Sequence, residues 1–479
     1  MKTSISHRAT VGILICGHKE YWPQFPGMKE AMIGYSENFV KLVRDSGVNV
    51  VDPIFVDTVE DAHRAGLALK AQDIDLLFVY LTTYVASGRY MLGALAADCP
   101  IVIVGTQNRI KIEGMDIQTM TASGSPCPLP EAYSAFVRCG KPAAGVIFDY
   151  MEEDNPRATK EVTEWCRAAD AVHAFKGAIF GYMGHSYEGM LDMNFDPTAV
   201  TRALGSHVRF VEMCELVDYI EQATPAELQA KLDEIDATFE RLSRSYDRTT
   251  KDIEDSDIEW AAQVAVGLDK LVHNNNLSGF AYYYMGENNS IYERAASNLM
   301  VGNSLMTSKG ISMAGEADMK TCLAMYLTSA LGCGGSFAEL YLVNWDNNTI
   351  IVGHDGPHDI RISDKKPTIR GLSIQHGKKG YGVSVEFSIK HGPMSMVGMA
   401  QDVDGRYYLV VAEGESREGW VPPVGNTITN AWFGDDIHQF TLDWTMSGVG
   451  HHASLAVGHV AGMVEKFGKL IGMDVVKVR

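Results

Sequence analysis

The chain has 479 residues, too many for one hydrophobic core, so two or three domains are expected. Its composition, 46% hydrophobic and 21% charged, is that of an ordinary globular protein, and a net charge of −19 argues against nucleic-acid binding spread over the surface. No run is apolar for long enough to cross a bilayer, and the early apolar run 11–16 lacks the longer core and cleavage site of a signal peptide, so a cytoplasmic location without a membrane partner is expected.

Residues 1–175 alternate short apolar runs with helical spacing, the signature of a parallel sheet covered by helices. Strands are predicted at 11–16, 74–81, 101–105 and 144–149, and helices at 28–44, 59–70 and 87–97. Ligands bind such sheets at the carboxyl ends of the strands, which puts 17–21, 82–87 and 105–109 on one rim. A central α/β region, 176–332, continues with a strand at 177–183 and a loop at 184–196. Helices are predicted at 225–242, 252–271, 295–308 and 317–331, with a strand at 279–285. Past Gly332 the texture changes to closely spaced β runs at 336–343, 349–353, 381–389, 394–402 and 407–413, joined by Asn, Asp and Gly turns. Region 333–479 is therefore expected to be an antiparallel sandwich or barrel with a helix near 455–467. The fold class that follows is α/β: two Rossmann-like α/β domains and then a C-terminal β-rich domain.

The chain has no phosphate loop, no Gly-x-Gly-x-x-Gly after the first strand and no Gly-x-Ser-x-Gly elbow. Its eight cysteines are scattered without a Cys-x-x-Cys pair, so structural zinc is not expected. Four segments of the C-terminal part concentrate the chemistry: Ala314-Gly315-Glu316-Ala317-Asp318, Gly334-Gly335-Ser336-Phe337-Ala338-Glu339, Gly353-His354-Asp355 and Gly450-His451-His452. Carboxylates and imidazoles beside small residues suit a hard or borderline divalent ion. Each piece also has a plainer reading. Glu316 and Asp318 can be acids favoured by a helix N-terminus. Glu339 can alternate outward from a strand, His354 can be a turn residue, and the His451-His452 pair can be one packed and one solvated ring. His18, Gln107 and His185 fall in predicted rim loops, where solvation and substrate contact read alike.

Together these segments resemble the L-arabinose isomerase family and, more loosely, the L-fucose isomerases. Residues 314–320 are similar to that family's Ala-Gly-Glu-Gly-Asp-Trp-Lys, and 334–339 to its Gly-Gly-Thr-Ser-Phe-Met-Glu. Gly353-His354 is similar to Gly-Ser-His, and Gly450-His451-His452 to Gly-Ala-His-His. Order and spacing agree, and weaker likenesses at 17–23 and Thr106-Gln107 extend the match into the N-terminal third. The first rim loop is one residue shorter than in the family, and Tyr187 and Tyr283 stand where the family lines its sugar pocket, so the chain reads as a divergent branch whose sugar need not be arabinose.

The resemblance implies a metal-dependent aldose–ketose isomerase acting on an open-chain pentose or (deoxy)hexose through an enediol. It implies Mn²⁺, or another divalent ion such as Co²⁺ or Mg²⁺, on Glu316, Glu339, His354 and His452, with Glu316 and Glu339 doubling as the acid/base pair. It further implies sugar contacts from His18, Gln107, His185 and Tyr187, and a trimer or hexamer in which the N-terminal rim closes a neighbour's site. The rival readings are a metal-dependent sugar or sugar-acid epimerase or dehydratase, and a catalytically silent sugar-binding protein.

Overall fold

The computed structural model describes residues 8–152, 154–242, 250–375, 378–422 and 427–478. They form two compact units, one of residues 8–174 with 465–473, the other of residues 175–464 with 474–478.

The first unit is built on a parallel sheet in the order Asn49–Val50, Thr10–Cys16, Leu76–Leu81, Ile101–Thr106, Gly145–Asp149, with Ile54–Val56 also paired to Thr10–Cys16. The three central strands are buried almost throughout, which is why they read as continuous apolar runs and not as alternating ones. Glycine sets the closest helix contact. A Cβ on Gly66 would lie 2.1 Å from the carbonyl oxygen of Gly93, so helices Val59–Lys70 and Met91–Ala96 meet backbone to backbone. The single helix expected at 87–97 is a 3₁₀ turn, Ser87–Arg89, followed by that short helix. Late in the chain, Lys466 returns to this unit and pairs with Glu161 at 3.2 Å and Glu164 at 2.7 Å.

In the second unit a parallel sheet runs in the order Ser312–Ala314, Gly279–Tyr282, Ile179–Met183, His207–Val211. Beside it is a closed β barrel. Going round it, Gly392–Gln401 pairs with His452–Val457, then follow Ser336–Asn344, Thr349–His354, Thr427–Trp432 and Tyr407–Arg417, and the last returns to Gly392–Gln401. Asp474–Val478 adds on, parallel to Tyr407–Arg417. The barrel interior and the helix Ile437–Met446 share one apolar core, in which Phe433 stacks on Phe440 at 4.0 Å. The fold is thus mixed α/β, with parallel-sheet α/β domains and a C-terminal β-rich domain, as the sequence implied.

Two local readings need correction. The helix expected over 225–242 ends at Thr238. Phe239 turns extended into the core, and Glu240–Leu242 joins a small sheet with Thr368–Gln375. The late helix is not at 455–467: His452–Val457 is a strand, Gly458 breaks it with a φ of 96°, and the helix is Ala461–Ile471.

Candidate functional site

Sheet register assembles half of the site. Glu339 on Ser336–Asn344 sits opposite His452 on one side and Gly353 on the other, and His354 follows Gly353 at its strand's end. Three residues far apart in sequence thus come to one level because three antiparallel strands share their hydrogen bonds. Phe337 packs against both imidazoles, its ring 4.7 Å from His354 and 4.3 Å from His452.

The other half comes from a turn at the carboxyl end of a parallel strand. Ser312–Ala314 ends, and Glu316 and Ala317 both adopt left-handed backbone, with φ of 55° and 58°. Such backbone costs an L-residue about 1–2 kcal/mol, and it clusters where function over-determines the local structure. The turn is held from both sides: the Ala317 amide donates to the Tyr282 carbonyl at 2.8 Å, and Asp318 caps the helix Met319–Ala330 by accepting from the Thr321 amide at 3.0 Å. The geometry aims Glu316 at the barrel.

There, His452 Nε2 lies 3.9 Å from Glu316 Oε2, and His354 Nε2 lies 3.8 Å from Glu339 Oε1. Two triads, Glu316–His451–His452 and Glu339–His354–His452, each bring three ligand atoms within 4.8 Å of one another. They share His452. Its Nδ1 is committed to Asp318 Oδ2 at 3.1 Å, and a carboxylate there requires that Nδ1 carry the proton, so only Nε2 has a free lone pair. One donor atom serves one ion, so the two triads make a single cradle. His452 Nε2 and Glu316 Oε2 are buried without a hydrogen-bond partner among the described residues, a costly arrangement that a cation would relieve. The residues therefore fit a divalent ion.

The two imidazoles differ in their electrostatics. Burial lowers the pKa of His452, outweighing the Asp318 carboxylate, which by itself would raise it. Burial opposes charge on His354 too, but Asp355 at 2.7 Å, with Glu339 and Glu316, outweighs it and raises the pKa. Burial alone would raise Asp318; its hydrogen bonds to His452 and Thr321 hold it below the ordinary carboxylate value.

The loop after Ile179–Met183 lies on the same rim. His185 and Tyr187 each stand 5.8 Å, centroid to centroid, from Tyr283, whose own pKa is raised by burial and then by Glu316. His185 and Tyr187 are thereby gathered around the Glu316 side of the cradle. His18 and Gln107 belong to the other unit. There, His18 lies against Tyr21 and 3.5 Å from Glu20, and Gln107 donates to the Arg109 carbonyl at 2.8 Å. Two participants were not singled out from sequence: Asp355 beside His354, and Asp192, whose Oδ2 is 2.6 Å from His451 Nδ1. Asp355 had a signal, its place in the Gly-His-Asp segment, whereas Asp192 had none.

Residues 334–474 match the family described as the L-arabinose isomerase C-terminal domain. The chain is similar to an L-arabinose isomerase of Herpetosiphon aurantiacus, 23% identical over 330 residues covering 66% of this chain and 63% of that protein. The match thus spans just under two thirds of that relative's length. It is similar to one from Oceanobacillus iheyensis, 22% identical with 67% of each chain covered. A third, from Clavibacter sepedonicus, is 22% identical over 453 residues, covering 89% of this chain and 84% of that protein. The resemblance is borne out as a likeness: residues 334–474, which hold three of the four motifs, match that C-terminal domain, and the similarity to L-arabinose isomerases at 22–23% identity is consistent with a divergent member.

Proposed function

We propose that the protein is a divalent-metal-dependent aldose–ketose isomerase acting on an open-chain pentose or (deoxy)hexose. The observation that carries the reading is the cradle, in which two carboxylates face two imidazoles and two buried donor atoms have no hydrogen-bond partner among the described residues. Glu316, Glu339, His354 and His452 would hold the ion; Mn²⁺ is the one that the resemblance implies, and the carboxylate oxygens of the set suit it. Such an ion supplies Lewis-acid stabilisation of the negative charge that develops on O1 and O2. Glu316 and Glu339 supply the proton chemistry. One carboxylate removes the proton from C2 while the other, as an acid, gives a proton to O1, leaving an enediol; the first then returns its proton to C1 as the second takes the O2 proton and the C2 carbonyl forms. Asp318 keeps His452 in one tautomer and orientation, and Phe337 fixes both imidazole planes. His185 and Tyr187, with Tyr283, are sugar contacts on the Glu316 side.

The test is incubation with a panel of aldoses plus Mn²⁺ and detection of ketose. Exhaustive chelation is expected to abolish turnover, and Mn²⁺ or Co²⁺ to restore it better than Mg²⁺. Full activity in metal-free protein would sink the metal role. Loss of water or inversion of a stereocentre without ketose would favour the dehydratase or epimerase reading, and binding without any product the silent sugar-binder.

The resemblance also supports a trimer or hexamer in which His18 and Gln107 complete a neighbouring subunit's site. Hybrids reassembled from a His18→Ala, Gln107→Ala chain and a Glu316→Gln chain should then recover activity that neither parent has. Inactive hybrids would mean that each subunit works alone.

A further inference from the structure

One pair of side chains beside the cradle has no part in the proton transfer between C1 and C2. Asp192, on the 3₁₀ turn Leu191–Met193, accepts at Oδ2 from the His451 amide at 3.0 Å and from His451 Nδ1 at 2.6 Å. Its backbone carbonyl accepts from the Lys320 ammonium, so the residue is held at the main chain as well as at the carboxylate. The bend before His451 is kept open for it, since a Cβ on Gly450 would lie 3.2 Å from Asp192 Oδ2. His451 is therefore an imidazole with one nitrogen fixed by a carboxylate and Nε2 left to exchange a proton, the arrangement used for general acid–base work. Its ring lies 3.8 Å, centroid to centroid, from that of His452 at a tilt of 43°, and it has a ring nitrogen within 4.8 Å of the Glu316 and His452 donors. Yet its side chain is 34% exposed where that of His452 is 0% exposed, so it stands on the solvent side of the cradle.

The isomerase reading, on which this inference rests, leaves a step unassigned. Pentoses and hexoses in water are overwhelmingly cyclic, and the C2 proton becomes acidic only once C1 is a free carbonyl. Glu316 and Glu339 are committed to the carbon acid, so opening the ring calls for another proton-transfer group at the mouth of the site. We propose that Asp192 and His451 form a ring-opening dyad, with His451 the catalytic residue and Asp192 the positioning residue. His451 Nε2 takes the proton of the anomeric O1 hydroxyl as C1=O1 forms. The C1–O5 bond breaks with its electron pair going to O5, and the imidazolium returns the proton to O5. Nothing is gained or lost, and the product is the open-chain aldose that the carboxylates require.

Ring opening and reclosure interconvert the α and β anomers, so the step has its own readout. Anomer exchange is measured by magnetisation-transfer NMR with the Mn²⁺-loaded protein on the aldoses of the isomerase panel, L-arabinose and L-fucose among them. Ketose is followed in the same samples, and Mn²⁺ binding to each variant is titrated by electron paramagnetic resonance. Wild-type protein should accelerate exchange of every aldose it isomerises. Asp192→Asn and His451→Gln should each cut that acceleration by about tenfold or more, in line with the worth of one general acid–base group, while the Mn²⁺ dissociation constant stays within about twofold. Variants that match the wild type overturn the dyad. So does parallel loss of Mn²⁺ binding, which would make His451 a ligand. A wild type that forms ketose without accelerating exchange overturns the dyad and leaves the isomerase reading standing. A wild type that forms no ketose from any aldose takes both down.

Discussion

The cradle is made by two regions that place a carboxylate in different ways. In the barrel, Glu339 is held by ladder pairing on both sides, opposite His452 and Gly353, and its position follows from register alone. At the end of the parallel sheet, Glu316 is held by a turn in which two consecutive residues other than glycine adopt left-handed backbone. The barrel positions its carboxylate without left-handed backbone, whereas the turn carries strain that its caps and hydrogen bonds must offset. What the turn gains is reach, because it projects a side chain out of one sheet and across to another. The contrast suggests that strain in this site belongs to the element that bridges two layers.

If both carboxylates serve one proton-transfer sequence, their different scaffolds should not matter to chemistry. Glu316→Gln and Glu339→Gln should each lower turnover by about 10²-fold or more, and the double variant should be far less than multiplicatively worse. Near wild-type turnover in either single variant would remove that residue from the acid/base pair and break the equivalence.

A smaller effect separates the two duties of Asp318, which caps the helix Met319–Ala330 and orients His452. Asparagine is also a good N-cap. Asp318→Asn should therefore leave stability nearly unchanged while weakening Mn²⁺ binding by about 10- to 100-fold, the usual worth of a partner behind a metal-ligating histidine. Equal losses in stability and affinity would show that the capping role dominates.

The smallest effect tests the strain itself. Ala317→Gly relieves left-handed backbone worth about 1 kcal/mol but deletes a fully buried methyl worth about 0.8 kcal/mol. Unfolding stability should shift by less than about 1 kcal/mol in denaturant titration, the balance of these opposed terms, with Mn²⁺ affinity unaltered. A loss well beyond that would mean the turn is not strained in the way its backbone angles imply.

The parts of the molecule that were legible in the sequence are those with local signatures. Buried strands of the N-terminal unit, such as Leu76–Leu81, announced themselves as unbroken apolar runs. Glu316, Glu339, His354 and His452 stood out because glycines flank their segments and the order of the segments matches a known family. Non-local pairing was not legible. Whether the C-terminal strands close into a barrel depends on Gly392–Gln401 pairing with both Tyr407–Arg417 and His452–Val457, and no local pattern encodes that. The strand Glu240–Leu242 was hidden because its residues continue a helical spacing, and the burial of Phe239 wins only once the core exists. Asp192 shares a hydrogen bond with His451 across 259 residues of chain, beyond any motif.

The closed barrel also fixes when the cradle can exist. Its ring is completed by His452–Val457, which follows the other strands of the ring in the chain and pairs with Ser336–Asn344 and Gly392–Gln401. His452 and its partner Asp318 are 134 residues apart along the chain, and contacts of such separation form late because loop closure must precede them. Synthesis runs from the N-terminus, so a nascent chain displays Glu316, Glu339 and His354 on the ribosome well before the imidazole common to both triads has emerged. An ion held by the complete donor set, as proposed, would therefore have to wait for His452, the last of the four donors to be made.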